Sequence, residues 1–338
     1  MFKKSSQFFL LLFLGGCLII LGVVVAKNNV SLASPEQTTG TISLLAPQSS
    51  TGEPSIRVGL YKATDPVKFV ADFPYNVYAG GQAKGVLQSG QVATLSYQDS
   101  FYHFKSGVLN FSSDRPIRLV PDDLGDRFIL PNYTRTLSGK GNKNFNVYRG
   151  IMEYKYPPRS NLPYVINELP LDLYTMGIAE TSNSATTEYI KALSVAARSY
   201  AYYNIYNGEP RDKRVFDVYA STVDQLYLGY NSELDMPKVA AATESTYGEV
   251  ITYNGVPVTA PYFARSNGQT KTWKTVWGGQ DKPWLQSVEC IYDQGKKKFG
   301  HGVGMSNQDA SMHAKKDGWT YDQILKYYYT GVELEKIY

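Results

Sequence analysis

Three short segments carry the residue types that chemistry needs. Met176-Gly177-Ile178-Ala179-Glu180-Thr181-Ser182-Asn183 sets one carboxylate, Glu180, in a loop of small residues ahead of a long helical pattern. A carboxyl serves as a general acid when apolar surroundings raise its pKa. Close to a helix N-terminus the pKa falls instead, and the residue merely closes a turn. The residues alone leave both readings open.

The second segment, Tyr262 to Thr270, ends a strand in a polar loop with Ser266, Asn267, Gln269 and Thr270. Loops at strand ends often hold binding residues, although Ser-Asn-Gly also makes an ordinary turn. Trp273 and Trp277 follow, as core or as surfaces for a sugar ring. The third segment is Gly300-His301-Gly302-Val303-Gly304-Met305-Ser306. Its glycines imply unusual backbone angles or close approach, and they place His301 as a base or as a hydrogen-bonded structural residue. The spacing does not match the dinucleotide fingerprint, no phosphate-binding loop is present, and no G-x-S-x-G motif marks a serine hydrolase.

The elements that must position these segments read as an α+β fold. From Ser55 to Pro131, short β-branched and aromatic runs alternate with Gly, Pro, Asp and Ser. They are Ile56–Tyr61, Val67–Ala71, Tyr75–Tyr78, Val92–Tyr97, Phe101–Phe104, Ile117–Val120 and Phe128–Leu130. Residues 132–146 read as a loop, and Val147–Tyr154 and Tyr164–Ile166 as further strands. The clearest helix runs from Thr186 to Asn207, with Ile190, Leu193, Ala197, Tyr200, Ala201 and Asn204 on one face. Ser184 or Thr186 caps its start, and Gly208 ends it. Asn254-Gly255 predicts a tight hairpin. Ser306 with Asp309, and Thr320 with Gln323, each predict a capping box.

Ahead of these elements, Phe8 to Ala26 form 19 residues without a charge, long enough to span a bilayer. Lys3 and Lys4 place the N-terminus inside and the bulk of the chain outside. The expected organisation is a tip and anchor over 1–27, a Ser/Thr/Asn/Pro-rich spacer over 28–54, a β-rich region over 55–146 and the remainder over 147–338. Removal as a signal peptide is the alternative for the first segment. The 338 residues are 43% hydrophobic and 19% charged, which excludes a wholly disordered chain and a polytopic membrane protein. A net charge of +4 with no clustered basic face argues against a nucleic-acid partner. The cysteines are Cys17 and Cys290, so no intrachain disulfide is expected outside the membrane.

In order, these segments resemble the SpoIID/LytB family, the stage II sporulation protein D-like proteins and amidase enhancers. Val165-Ile166-Asn167-Glu168-Leu169-Pro170-Leu171 is similar to the family's "VNELPLEDYL". Lys191 to Ala201 is similar to "KAQAVAARTYA", and Gly248 to Val258 to "GEVLTYNGKPI". Ser266 to Thr270 with Val276-Trp277-Gly278-Gly279 resembles "SSGGRT…VWGG", and Gly300 to Ser306 resembles "GHGVGMSQ". The ordered matches cover about 147–338.

The resemblance implies a SpoIID-like catalytic region acting as a peptidoglycan lytic transglycosylase with one Glu acid/base. The family Glu lies 18 positions before the Arg of "AVAAR". Counted back from Arg198, that register selects Glu180 over Glu168 or Glu188. Arg198, Gln225, Tyr227, Ser266, Gln269, Thr270 and His301 become candidate substrate contacts. Two departures stand out. Thr181-Ser182 replace the family's Met-Pro, and Phe216 to Tyr227 lacks the Cys and His of the stretch that binds zinc in some members. No metal and no cofactor are expected. The implied partners are peptidoglycan glycan strands, a cell-wall amidase and, through 8–26, the membrane. The implied location is its extracytoplasmic face, or the exterior after signal cleavage. The competing reading is a non-catalytic wall-binding protein that recruits or stimulates an amidase.

Overall fold

The computed structural model describes residues 52–107, 109–208 and 213–338. The expected anchor over 8–26 and all but the end of the spacer lie outside the described residues. No described helix is long and apolar enough to cross a membrane.

A seven-stranded sheet runs in the order β13-β1-β12-β11-β8-β3-β4. Its strands are β1 (Ser55–Lys62), β3 (Tyr75–Ala79), β4 (Gln82–Leu87), β8 (Ile117–Pro121), β11 (Ile151–Lys155), β12 (Tyr164–Pro170) and β13 (Val218–Tyr219). A six-stranded sheet runs β10-β9-β2-β5-β6-β7. It holds β2 (Val67–Ala71), β5 (Ala93–Gln98), β6 (Phe101–Ser106), β7 (Leu109–Ser113), β9 (Arg127–Ile129) and β10 (Val147–Arg149). In β2, β3, β6 and β8 alternate residues turn inward, as a half-buried sheet requires. Ile56, Val58, Val77 and Leu119 of the first sheet share one apolar cluster with Phe69, Leu95, Phe104 and Phe128 of the second.

The strands predicted from alternation are present, with one division. Val147–Tyr154 is two strands in two different sheets, broken at Gly150, whose φ is 79°. A Cβ there would stand 2.6 Å from the carbonyl oxygen of Glu168, so only glycine fits the corner. Asn167 holds the same corner, its amide donating to the carbonyls of Arg149 (2.7 Å) and Ile151 (3.1 Å). Sequence reading missed β4 and β7. Five of the six β4 residues are exposed, so no apolar alternation marks it.

The boundary at 146/147 does not separate two sheets. β1 pairs with β12 on one side and β13 on the other, so the first strand of the β-rich region lies inside the sheet of the C-terminal region. β12 is buried at every position, and its Glu168 is neutralised by Arg57 and Arg118. Burial would raise its pKa, but the two guanidinium groups bring it below the usual carboxylate range.

Short helix α1 (Leu171–Met176) precedes α2 (Thr187–Asn207). The expected single apolar face of α2 is corrected: Tyr189 to Ala201 are buried on nearly every side, with only Lys191 and Tyr200 partly exposed. The helix is an interior one, and its many Ala and Ser residues allow close approach. Ala197 and Ala201 join the sheet cluster. Tyr189, Ala192, Leu193, Val195 and Ala196 join a second cluster with Ile251, Val303, Met305, Ile324 and Leu325. Thr186 occupies the N-cap, but its hydroxyl makes no capping bond.

Beyond α2 come α3 (Tyr230–Asp235) and α4 (Pro237–Glu244). A three-stranded sheet follows, of β14 (Glu249–Tyr253), β15 (Val256–Pro257) and β18 (Glu333–Lys336). Asn254 and Gly255, at φ 53° and 73°, make the predicted hairpin turn. β16 (Tyr262–Phe263) pairs in parallel with β17 (Met305–Ser306), which joins the second and third chemical segments. α5 (Trp273–Trp277), α6 (Asn307–Met312) and α7 (Tyr321–Tyr328) complete the chain. The Thr320–Gln323 capping box opens α7 as expected. The Ser306–Asp309 box is absent, because the Ser306 hydroxyl donates to Asp293 at 2.6 Å instead.

Candidate active site

After α1, residues 177–180 run antiparallel to 225–228. Leu228 N–H donates to the Gly177 carbonyl, and Ala179 N–H to that of Leu226, each at 2.9 Å. This short ladder brings Glu180 beside the Leu226 amide, which donates to Oε1 at 3.1 Å. The Tyr262 hydroxyl donates to Oε2. Burial raises the Glu180 pKa, and these two hydrogen bonds only partly offset it. The helix-entrance reading of Glu180 is therefore corrected. The acidic residue in the first turn of α2 is Glu188. The altered loop is closed by its own side chains: Ser182 Oγ lies 2.8 Å from Ser184 Oγ, and Asn183 accepts from Lys238 N–H on α4 at 2.9 Å.

The direction of the Tyr262 proton follows from its neighbours. The Gln225 amide nitrogen donates to the carbonyl of Ala197 on α2 at 3.2 Å and to the Tyr262 oxygen at 3.0 Å. The Gln225 amide oxygen accepts from Tyr174 at 2.9 Å. With its oxygen accepting from Gln225, Tyr262 turns its own O–H to Glu180.

Glu180, Gln225 and Tyr262 line a cleft of about 700 Å³. Asp224, Tyr200 and Thr222 lie on its wall, and Phe263, Trp273, Trp277, Phe299 and His301 give an aromatic bank. Asp224 is already engaged. It accepts from Tyr200 O–H and Tyr219 N–H, both at 2.7 Å, and pairs with Arg214 at 3.4 Å. His301 faces a carbonyl with Nε2 (Tyr262 O, 3.0 Å) and an amide with Nδ1 (Val303 N, 3.1 Å). A carbonyl only accepts and an amide N–H only donates, so the ring is neutral with its proton on Nε2. Burial and Lys298 both lower its pKa, against the favourable Tyr262 carbonyl. Both nitrogens are spent, and His301 presents its ring to the cleft rather than a base.

Of the residues expected at the site, Glu180, Gln225 and His301 converge. The others do not line the cleft. Arg198 is fully buried in an ion pair with Asp172 and donates to the carbonyls of Thr243 and Glu249, each at 3.1 Å. Tyr227 is buried and donates to Asn167 at 2.8 Å. Ser266 is buried, with its N–H and hydroxyl both donating to Asp293 (2.8 and 3.0 Å). Thr270 is buried and its hydroxyl oxygen accepts from Val288 N–H at 2.8 Å. Gln269 is exposed outside the cleft, where its backbone bridges to Glu289. Arg198, Tyr227, Ser266 and Thr270 are thus engaged within the framework, and Gln269 lies exposed away from the cleft. Asp293 also holds Ser306, so it ties the second chemical segment to the third.

Sequence reasoning missed Tyr262, Tyr200 and Asp224 as site residues. A Tyr at the end of a strand is ordinary, and only the pairing of β16 with β17 brings Tyr262 over Glu180. Among the described residues, no group of three or more His, Cys, Asp or Glu is arranged to hold a metal ion.

Residues 161–253 match the family model described as SpoIID, stage II sporulation protein. Stage II sporulation protein D of Bacillus subtilis (strain 168) is 24% identical over 262 aligned positions, covering 51% of this chain and 76% of the relative. Stage II sporulation protein D of Bacillus amyloliquefaciens is 28% identical over 147 positions, covering 40% and 42%. An uncharacterized protein of Brachyspira hyodysenteriae is 28% identical over 213 positions, covering 57% and 56%. The chain thus spans about half the length of two of these relatives. The matched segment runs from β12 to β14 and contains Glu180 and Gln225, and these comparisons support its assignment to the SpoIID family. That assignment supports a cell-wall-related role.

Proposed function

We propose that the protein is a membrane-anchored peptidoglycan lytic transglycosylase on the extracytoplasmic face of the cell membrane. It cleaves the bond between N-acetylmuramic acid and N-acetylglucosamine and leaves 1,6-anhydro ends. The observation that carries the reading is a single available carboxyl in the cleft, Glu180, with a raised pKa and two donors in place. The other cleft carboxylate, Asp224, is paired with the Arg214 guanidinium besides accepting from Tyr200 and Tyr219, which keeps it charged and engaged. Hydrolytic glycosidases use a second carboxylate to activate water or to attack the sugar. A lytic transglycosylase needs neither. Glu180 gives its proton to the leaving O4, and the bond from C1 to that oxygen breaks. The resulting carboxylate, held by Tyr262 and Leu226, takes the proton of the muramic 6-hydroxyl as O6 bonds to C1. The nucleophile belongs to the substrate and so has a high effective concentration.

The second reading is a non-catalytic wall-binding partner of an amidase. The Thr181-Ser182 departure next to Glu180 favours it. Incubating the protein with intact and amidase-treated peptidoglycan, followed by mass spectrometry, separates the two. Anhydro-muramic ends that vanish in Glu180→Gln support the enzyme. Wall binding without soluble product supports the amidase partner.

A further inference from the structure

The aromatic bank of the cleft is more specific than an apolar wall. Trp273 and Trp277 stand one turn apart on α5, with ring centroids 4.5 Å from each other. Trp277 is 46% exposed and lies 4.9 Å from the His301 ring. Because His301 is locked neutral by two backbone bonds, its face adds to the ledge without adding charge. Lys282 stands beside Trp273, next to the residues that line the cleft. Its ammonium sits 4.7 Å from the Trp273 ring centroid, 5.2 Å from that of Trp284 and 5.6 Å from that of Tyr203. Trp284 is itself fixed by its indole N–H donating to the Thr259 carbonyl at 2.8 Å.

The backbone N–H of Lys282 donates to Asp281 at 3.0 Å, but among the described residues its ammonium has no carboxylate partner, and burial alone pushes its pKa down. An ammonium over aromatic faces gains some cation–π attraction, but its three hydrogens remain to be given away. Exposed ring faces favour the C–H face of a pyranose, whereas an uncompensated cation favours an anion. A sugar bearing a carboxylate answers both.

We propose that Trp273, Trp277, His301 and Lys282 form a subsite for an acidic amino sugar, the rings stacking on the pyranose and Lys282 accepting its carboxylate. The proposal rests on the reading that the cleft takes a glycan strand. The carboxylate can belong to the lactyl group of a peptide-free muramic residue or to a stem peptide.

Calorimetric titration of the full chain carrying Glu180→Gln tests this without turnover. The ligands are neutral N-acetylglucosamine oligomers, peptide-stripped glycan fragments and fragments bearing stem peptides. Trp277→Ala should weaken all three, on the order of tenfold. Lys282→Met should weaken only the carboxylate-bearing ligands, on the order of tenfold, and Lys282→Arg should restore most of the loss. A Lys282→Met loss confined to stripped fragments identifies the lactyl carboxylate, and one confined to stem-bearing fragments identifies the peptide. Unchanged binding in Lys282→Met, or equal weakening for neutral and charged ligands, overturns the proposal while leaving the glycan reading intact. Failure of the Glu180→Gln parent to bind any of the three defeats the glycan reading itself. Circular dichroism establishes that each variant is folded.

Discussion

Tyr262 donates its hydroxyl hydrogen bond to Glu180 because its oxygen already accepts from Gln225. The carboxylate form of Glu180 is therefore held by a donor that cannot turn away. In Tyr262→Phe that bond is lost, and the Glu180 pKa rises further. The descending limb of activity, where the acid loses its proton, should move to higher pH. The rate should fall by about 10- to 100-fold, since a hydrogen bond to a charged group contributes about 1.5–3 kcal/mol. A pH–rate profile on peptidoglycan checks both. An unshifted limb would remove Tyr262 from the control of Glu180.

Glu180 also links stability to pH. Burial raises its folded pKa above that of a glutamate in the unfolded chain, so the folded state binds more protons between the two values. Stability then declines as pH rises through that window and stays lower above it. Glu180→Gln lacks this loss. Its Tm should exceed that of the parent at pH 7, and the difference should shrink towards zero below pH 4.5. Thermal melts across that range are the measurement, and a constant difference would contradict it.

Among the described residues Arg198 is the largest fully buried side chain, and its partner Asp172 also accepts from Gly248 N–H and Tyr338 O–H. Arg198→Met leaves that carboxylate buried without its counter-charge, at a cost of about 3–5 kcal/mol. A fall in Tm on the order of 10 °C is expected. Loss of glycan binding at an unchanged Tm would instead return Arg198 to the substrate.

Gly304 explains the spacing of the third chemical segment. Its φ is 75°, and a Cβ would stand 1.9 Å from the Pro261 carbonyl oxygen. Gly304→Ala should destabilise by about 3 kcal/mol or more, because strain and overlap add. Denaturant melts of purified Gly304→Ala measure it. A comparable change at Gly302, whose nearest neighbour would lie at 3.6 Å, should cost less.

Cys290 is buried, and burial pushes its thiol up to about 12. Alkylation at neutral pH should be slow in the native protein and fast in denaturant. Mass spectrometry of the Cys290 peptide follows it. Rapid native labelling would show that the second core opens readily.

The sequence made some of this legible for identifiable reasons. Alternation marked β2, β3 and β8, and Asn254-Gly255 marked its hairpin, because local sterics decide those elements. β4 carries no apolar rhythm and escaped notice. The Glu180 register came from a resemblance, whereas its environment depends on Leu226 and Tyr262, which are 46 and 82 positions away. The surroundings of Arg198 were hidden for the same kind of reason. A guanidinium near a candidate acid suggests a substrate contact, but the partner it actually has, Asp172, becomes visible only once α1 packs on α2. Tertiary pairing, not local propensity, selects which polar residues face the cleft.

The insertion of β1 between β12 and β13 sets a timetable for the growing chain. β1 is complete at Lys62, yet its neighbours begin at Tyr164 and Val218. At roughly 5–20 residues per second, the ribosome takes about 5 s or more to supply the first neighbour and about 8 s or more to supply the second. For that interval an apolar strand has two open edges, which favours association with other nascent chains. Slowing synthesis ahead of Tyr164 lengthens this exposure, while any agent that shields Ile56 to Leu60 shortens it. The first described strand made is thus among the last of its sheet to be paired.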